Sequence, residues 1–395
     1  MVTIYLDNAA TERVSPRTAD FVREFFTEEY FNIGASYPQA VALSARVGEA
    51  RGFLAGCMGA RASELYFMSG ATEANNLVLR GAARVKEKNV IITMGEHASV
   101  YATAQTLKAA FNVKFAPLKA DGAADEEKLL ALVDENTALV SVIHVSNETG
   151  AVNDIAKICR AVKSKNPSCF FHSDGVQAFA KLPVNVKESG VDFYTVSGHK
   201  AGAPKGIAAL YVREGVHLNP LISGGGQEKG LRAGTENVSG IMGFYHAVRD
   251  KTQIANAKLT VPYNDNASQF SILNSQFQKT RQSEKIKRLL SAGGLKIKFN
   301  GCGSPYITSV SIIGIKAETL SNMCAERGVV IGLGSACAAS KEGNRVLSAM
   351  GLSRGEIDGN IRISLCNDTT DEEIETAAGA IIECARKLFK KEDIL

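Results

Sequence analysis

A chain of 395 residues, 45% hydrophobic and 22% charged, has the balance of a globular protein with two or three domains. Its net charge of +4 is scattered, which gives no case for nucleic acid or an anionic membrane. No uncharged apolar run approaches the roughly 20 residues of a membrane span, and Met1-Val2-Thr3-Ile4-Tyr5-Leu6-Asp7 has neither a basic start nor an Arg-rich amphipathic pattern, so a cytoplasmic location is expected.

In chain order, residues 1–15 form an entry segment, with apolar Ile4-Tyr5-Leu6 before a turn at Asp7-Asn8. Helical periodicity covers 17–31 and 39–57, separated by the breaker-rich stretch 32–38. Strands are then expected at 64–68, 90–93, 113–116, 138–142, 169–172, 191–196 and 207–212. Helices at 73–86, 99–111 and 154–165 fall between them. This α/β alternation predicts a largely parallel sheet with helices on both faces and ligands beyond the carboxyl ends of its strands. After Gly224-Gly225-Gly226 the texture changes. Residues 237–252 read as a helix and 253–300 are polar and weakly patterned. Alternation at 308–313 and a helix at 317–327 suggest a smaller α+β domain. The basic tail, 386–391, reads as the solvated end of a helix.

The residues that carry chemistry cluster at strand ends. Lys200, in Ser197-Gly198-His199-Lys200, follows a buried strand beside a hydroxyl and an imidazole. A lysine that is partly desolvated can form a Schiff base with an aldehyde, although a solvated loop lysine fits these four residues as well. Thr72, in Gly70-Ala71-Thr72-Glu73, opens a helix and suits either a phosphate or an ordinary N-cap. His97 follows the next strand, where it could stack on a planar ring or be a polar loop residue. Asn147, in Asn147-Glu148-Thr149-Gly150, could bond a ring hydroxyl or a carboxylate, or serve a turn. Asp174 ends a buried strand, where a carboxylate needs a partner. A protonated ring nitrogen would serve, as would the cap of a following helix, and Gln177 could reach the same ring. Arg232, Thr235 and Asn237 lie in a glycine-rich loop that suits anions or is merely flexible. Arg362 is a lone cation in an apolar run, a fork for a substrate carboxylate or half of an ion pair.

Eight cysteines occur without a Cys-x-x-Cys pair or zinc-ligand spacing, and most read as small buried hydrophobes. Cys337 differs: Gly332-Leu333-Gly334-Ser335-Ala336 and Ala338-Ala339-Ser340 flank it with small residues, as for an accessible reactive thiol or a tight turn.

In order and spacing these motifs, together with Tyr5-Leu6-Asp7-Asn8-Ala9-Ala10-Thr11 and Asp174-Gly175-Val176-Gln177, resemble the cysteine desulfurases of the class V aminotransferase group. Gly334-Ser335-Ala336-Cys337 is similar to the branch that supplies sulfur for iron–sulfur clusters and tRNA thiolation. The resemblance implies a fold-type I transferase with a mostly parallel seven-stranded sheet. It would have a large cofactor domain at 16–250 and a small domain from 1–15 and 251–395 carrying the cysteine loop. It further implies pyridoxal 5'-phosphate held covalently by Lys200, with Asp174 on the ring nitrogen, His97 on the ring face and Gln177 on the phenolic oxygen. Ala71, Thr72, Ser197 and His199 would bind the phosphate, joined by Thr235 from the second subunit of a homodimer. Asn147 and Arg362 would fix the carboxylate of L-cysteine. Cys337 would take its sulfur as a persulfide, leaving L-alanine, and pass it to an iron–sulfur scaffold or another acceptor protein. A thiol is only a few per cent ionised at neutral pH, so a local positive group or a proton transfer from substrate is expected to activate it. No metal of its own is implied, although Cys337 could bridge to a cluster on a scaffold partner. Selenocysteine lyase, cysteine sulfinate desulfinase or another class V aminotransferase is the alternative. Residues Ala338–Asn344 depart from the family's usual pattern and run shorter.

Overall fold

The computed structural model describes residues 3–82, 88–252, 265–334 and 345–392. All seven strands expected between 64 and 212 form, as β2 (Leu65–Met68), β3 (Asn89–Thr93), β4 (Asn112–Ala116), β5 (Thr137–Ser141), β6 (Phe170–Asp174), β7 (Phe193–Ser197) and β8 (Ala208–Val212), after β1 (Ile4–Leu6). They build one sheet in the order β2-β8-β7-β6-β5-β3-β4. β3 to β7 run parallel to one another, while β8 is antiparallel to both β7 and β2. The connection explains the reversal. A parallel neighbour needs a crossover of about a dozen residues or more, and the β7–β8 link, 198–207, is too short. That short link carries Gly198, His199 and Lys200.

The central strands are buried on both faces, which suits largely apolar runs such as Val90-Ile91-Ile92 and Ala208-Ala209-Leu210. Helices Ala71–Ala82 and Ala98–Leu107 cover one face through Leu77, Val78, Val100 and Ala104. Helices Pro38–Gly56, Ile155–Lys165 and Val238–Lys251 cover the other through Leu43, Leu54, Ile158, Val162 and Phe244.

A second sheet has the order β1-β11-β12-β10-β9, from β9 (Ile297–Asn300), β10 (Ile307–Ile312), β11 (Val329–Leu333) and β12 (Asn360–Ser364). The entry segment is therefore a strand, parallel to β11. Helices Asp265–Ala292, Ala317–Ala325 and Asp371–Glu392 pack on this sheet through Ile286, Leu290, Leu320, Ile374 and Ile381. In β12 the period-two alternation sends Ile361 and Ile363 into this core and Arg362 to the opposite face. The weakly patterned stretch thus contains a long helix and a strand. The basic tail does end a helix, but Leu388 and Phe389 pack against the second core. Among the described residues no helix is long and apolar enough to cross a membrane.

Candidate functional site

A cavity of about 810 Å³ opens where the loops beyond β2, β3, β5, β6 and β7 meet residues 9–11 and the face of the second sheet that bears Arg362. Ten of the expected site residues line it: Ala71, Thr72, His97, Asn147, Asp174, Gln177, Ser197, His199, Lys200 and Arg362. Thr235 lines a separate pocket of about 200 Å³ with Arg232 and Asn237. Arg232 is paired with Glu73 there at 2.9 Å, and Asn237 caps a helix by accepting from the Gly240 amide. Cys337 lies outside the described residues.

Lys200 is held by the chain's first residues. Its Nζ donates to the carbonyls of Ala9 and Ala10 at 2.7 and 2.6 Å. Burial draws its pKa down to about 7, and the nearby charges of Lys181 and Arg362 add repulsion. Lys181 is fully enclosed and falls to about 8 for the same first reason. It donates to Gln177 Oε1 at 3.2 Å, while Gln177 Nε2 donates to Ala9 O at 2.9 Å, so both ends of that amide are engaged.

Asp174 is the last residue of β6 and is only 3% exposed. Its carboxylate accepts from Asn75 Nδ2 at 2.8 Å and from the Val176 amide at 3.1 Å. A Cβ on the next residue, Gly175, would fall 2.0 Å from a ring carbon of Tyr194, so glycine alone fits behind the carboxylate. His97 caps the Ala98–Leu107 helix, its Nδ1 accepting from the Ser99 amide at 3.1 Å. Burial, with Lys200 and Arg345 adding to it, lowers the pKa of His97 despite the opposing pull of Asp174. That shift favours the neutral imidazole, and an Nδ1 that accepts from the Ser99 amide leaves the ring proton for Nε2. His199 Nδ1 lies 3.2 Å from Thr11 Oγ1, and burial first, then Lys200 and Lys205, takes it down to about 4.

Arg362 splits its fork, one terminal nitrogen donating to Asp7 Oδ1 and the other to the Asn147 carbonyl, each at 2.7 Å. Its Nε is buried with no partner among the described residues. It is therefore half of an ion pair, though not a bidentate one, and it still lines the cavity. Glu148 lines the same wall, its carboxyl pushed up to about 7 by burial against the pull of Arg345 and Arg362.

This donor set suits one kind of guest. The N-terminus of the Ala71–Ala82 helix with Ser197 and His199 fits an anion, and a buried carboxylate backed by an amide fits a cationic ring nitrogen. A lysine near neutrality fits an aldehyde. Among the described residues, no cluster of three or more His, Cys, Asp or Glu suits a metal ion.

Sequence reasoning missed Asn75, Lys181, Lys205, Glu148 and Arg345 as cavity or support residues. Asn75 was within reach: it sits one turn into the helix opened by Ala71, where a polar side chain on an otherwise apolar face requires a buried partner.

The family described as Aminotransferase class-V matches residues 4–376. A cysteine desulfurase of Trichormus azollae is 35% identical over 98% of this chain and 94% of its own. The cysteine desulfurase IscS of Methanosarcina thermophila is 31% identical over 98% and 92%. A solved NifS-like protein superposes with a TM-score of 0.87 at 32% identity, covering 98% of this chain and all of that one. With a fold-type I architecture that gathers ten expected residues around one cavity, the chain belongs to the class V aminotransferase family and, within it, to the cysteine desulfurases.

Proposed function

We propose that this cysteine desulfurase removes sulfur from L-cysteine with pyridoxal 5'-phosphate held in the described cavity, and carries that sulfur out on Cys337. The observation that carries the reading is the meeting of Lys200, Asp174 and His97 on one cavity, each from a different strand end. Lys200 would hold the aldehyde covalently and would be the group that moves the proton at the substrate α-carbon. Its low pKa supports that role, because a neutral amine both attacks and accepts protons. Asp174 pairs with the ring nitrogen, and Asn75 holds the carboxylate toward it. Ala71, Thr72, Ser197 and His199 bind the phosphate, and Gln177 serves the phenolic oxygen. The bound cofactor supplies an electron sink for the bonds broken at the substrate. Asn147 and Arg362 orient the substrate carboxylate, for which the unpartnered Nε of Arg362 is an available donor.

In the net reaction the Cys337 thiol and L-cysteine give L-alanine and a Cys337 persulfide, which conserves every atom. An iron–sulfur scaffold or another acceptor protein then takes the outer sulfur. Thr235 reaches the phosphate of a second copy in a homodimer, a reading supported by its position outside its own chain's cavity. The site draws on both proposed domains, 16–250 and 1–15 with 251–395. A cytoplasmic setting suits a reaction that needs a reduced thiol.

The test is to record the visible absorbance of the purified protein, then measure alanine and sulfide from L-cysteine for the wild type, Lys200→Ala and Cys337→Ala. Lys200→Ala should lose both products, and Cys337→Ala should lose sulfide. Equal sulfide release from wild type and Cys337→Ala would sink the persulfide step. A wild type that stays colourless with added pyridoxal phosphate would sink the cofactor.

A further inference from the structure

The geometry points to Arg345 as the positioning residue for His97, fixing the imidazole from both sides of its turn. This inference rests on the reading of His97 as the residue on the cofactor ring.

The two terminal nitrogens of Arg345 donate to the carbonyls of Met94 and Glu96, the residues on either side of Gly95. Its guanidinium lies 4.0 Å from the centroid of the Tyr101 ring. Tyr101 belongs to the helix that His97 caps, and its amide donates to the His97 carbonyl at 3.0 Å. One planar group therefore grips the turn before His97 and the helix after it. From the other side, Glu96 Oε1 accepts from the Thr93 hydroxyl at 3.0 Å and from the Ile143 amide at 2.7 Å, which ties the same turn to the ends of β3 and β5. His97 is left with little freedom between these restraints, its Nδ1 already committed to Ser99.

Arg345 is itself well seated. It opens the short helix Arg345–Ala349, whose Val346 and Leu347 pack with Met350 and Leu352 against Leu118 and Met94. Met94 thus contributes its side chain to this cluster and its carbonyl to Arg345. In sequence Arg345 follows Cys337 closely, so the element after the nucleophile is anchored on the turn that presents His97. The residue type is specific. A planar fork satisfies two carbonyls while its face lies on a ring, whereas a lysine's ammonium can donate to carbonyls but has no planar face to lay on the ring. Catalytic geometry is steep enough for this to matter, since a misplacement of about 1 Å can cost roughly a hundredfold in rate.

The experiment is a double-mutant cycle on the holoenzyme, using Arg345→Met, Arg345→Lys, His97→Ala and the combination of His97→Ala with Arg345→Met. Alanine formation from L-cysteine and the absorbance band of the bound cofactor are measured for each. Arg345→Met should lower kcat roughly ten- to a hundredfold, change KM much less, and move the absorbance band in the direction that His97→Ala moves it. Arg345→Lys should recover only part of the rate. In the His97→Ala background, Arg345→Met should cost less than about a further threefold, because its effect runs through a residue already gone. Additive losses, or a lysine variant as active as wild type, overturn the inference while an impaired His97→Ala leaves the cofactor reading intact. A His97→Ala enzyme with wild-type rate and absorbance sinks that reading, and the inference falls with it. If Arg345→Met does not fold, the cycle is run with Arg345→Lys and judged by the same additivity.

Discussion

Arg362 and Asp7, both carried by the second sheet, meet at the cavity in a single contact of 2.7 Å between a guanidinium 6% exposed and a carboxylate 20% exposed. The pair faces two demands. It must keep a buried cation compensated, and it must leave a donor available to a substrate carboxylate. Asp7→Ala should lower the unfolding free energy by about 3 kcal/mol in urea denaturation, because it leaves the cation with only a carbonyl partner. Arg362→Ala should raise KM for L-cysteine about tenfold or more with a smaller change in kcat, the pattern of a group that binds ground and transition states alike.

The pH dependence of cofactor loading should report Lys200. A lysine is neutral above its pKa, and that of Lys200 is drawn down to about 7 by burial, then by Lys181 and Arg362. The reactive fraction therefore rises as pH climbs through about 7 and is nearly complete a unit higher, well below the ordinary lysine value of about 10.4. Rates of reconstitution of the apoprotein with pyridoxal phosphate, followed by absorbance from pH 6 to 9, should level off above about pH 8. Lys181→Met removes a repelling charge and should move the midpoint upward. A rate still climbing steeply at pH 9 contradicts the assignment.

Asn75→Ala should weaken cofactor binding about tenfold, the loss of one hydrogen bond to a buried carboxylate. Asn75→Asp should do more harm, since two carboxylates at that spacing cannot both ionise and Asp174 would compete for the proton. Equilibrium dialysis of the cofactor against each variant measures both effects.

Glu228 accepts both terminal nitrogens of Arg51 at 2.7 Å and the Phe67 amide at 2.9 Å. It does so with left-handed backbone at φ 47°, followed by Lys229 at φ 58°. Such conformations persist only where surrounding contacts enforce them. Arg51→Met should cost about 3 kcal/mol of stability by denaturant titration, through the uncompensated buried carboxylate. Because Glu228 begins the loop that carries Thr235, sedimentation should also show weaker self-association if the proposed homodimer forms through that loop.

The central strands were legible because burial on both faces writes itself as unbroken apolar runs, as in Val90-Ile91-Ile92. The reversal of β8 was not, since nothing within Ala208–Val212 encodes direction, which follows from the length of the preceding link. The Asp265–Ala292 helix stayed hidden because its inward positions include Lys279, Gln282 and Ser283 beside Ile286 and Leu290. Lys279 is made tolerable there by Gln282 and the Thr369 carbonyl. In the site, Lys200, Asp174 and His97 stood out as polar residues at the ends of apolar strands. Asn75 carried a signal as a polar residue on an apolar helix face, but its partner lies 99 positions away; Arg345 carried none, because its partner lies 249 positions away.

The chain's opening residues bear on how the protein is made. Ile4–Leu6 pairs with Val329–Ile331, Asn8 and Ala9 bond to Ser364, and Ala9 and Ala10 receive Lys200. This segment thus leaves the ribosome about 325 residues ahead of its strand partner. At synthesis rates of roughly 5–20 residues per second it waits for some tens of seconds. During that interval the seven-stranded sheet can form, while Lys200 lacks the two carbonyls that fix it. Cofactor capture by a nascent chain should therefore trail the folding of the large sheet and follow the emergence of β11 and β12.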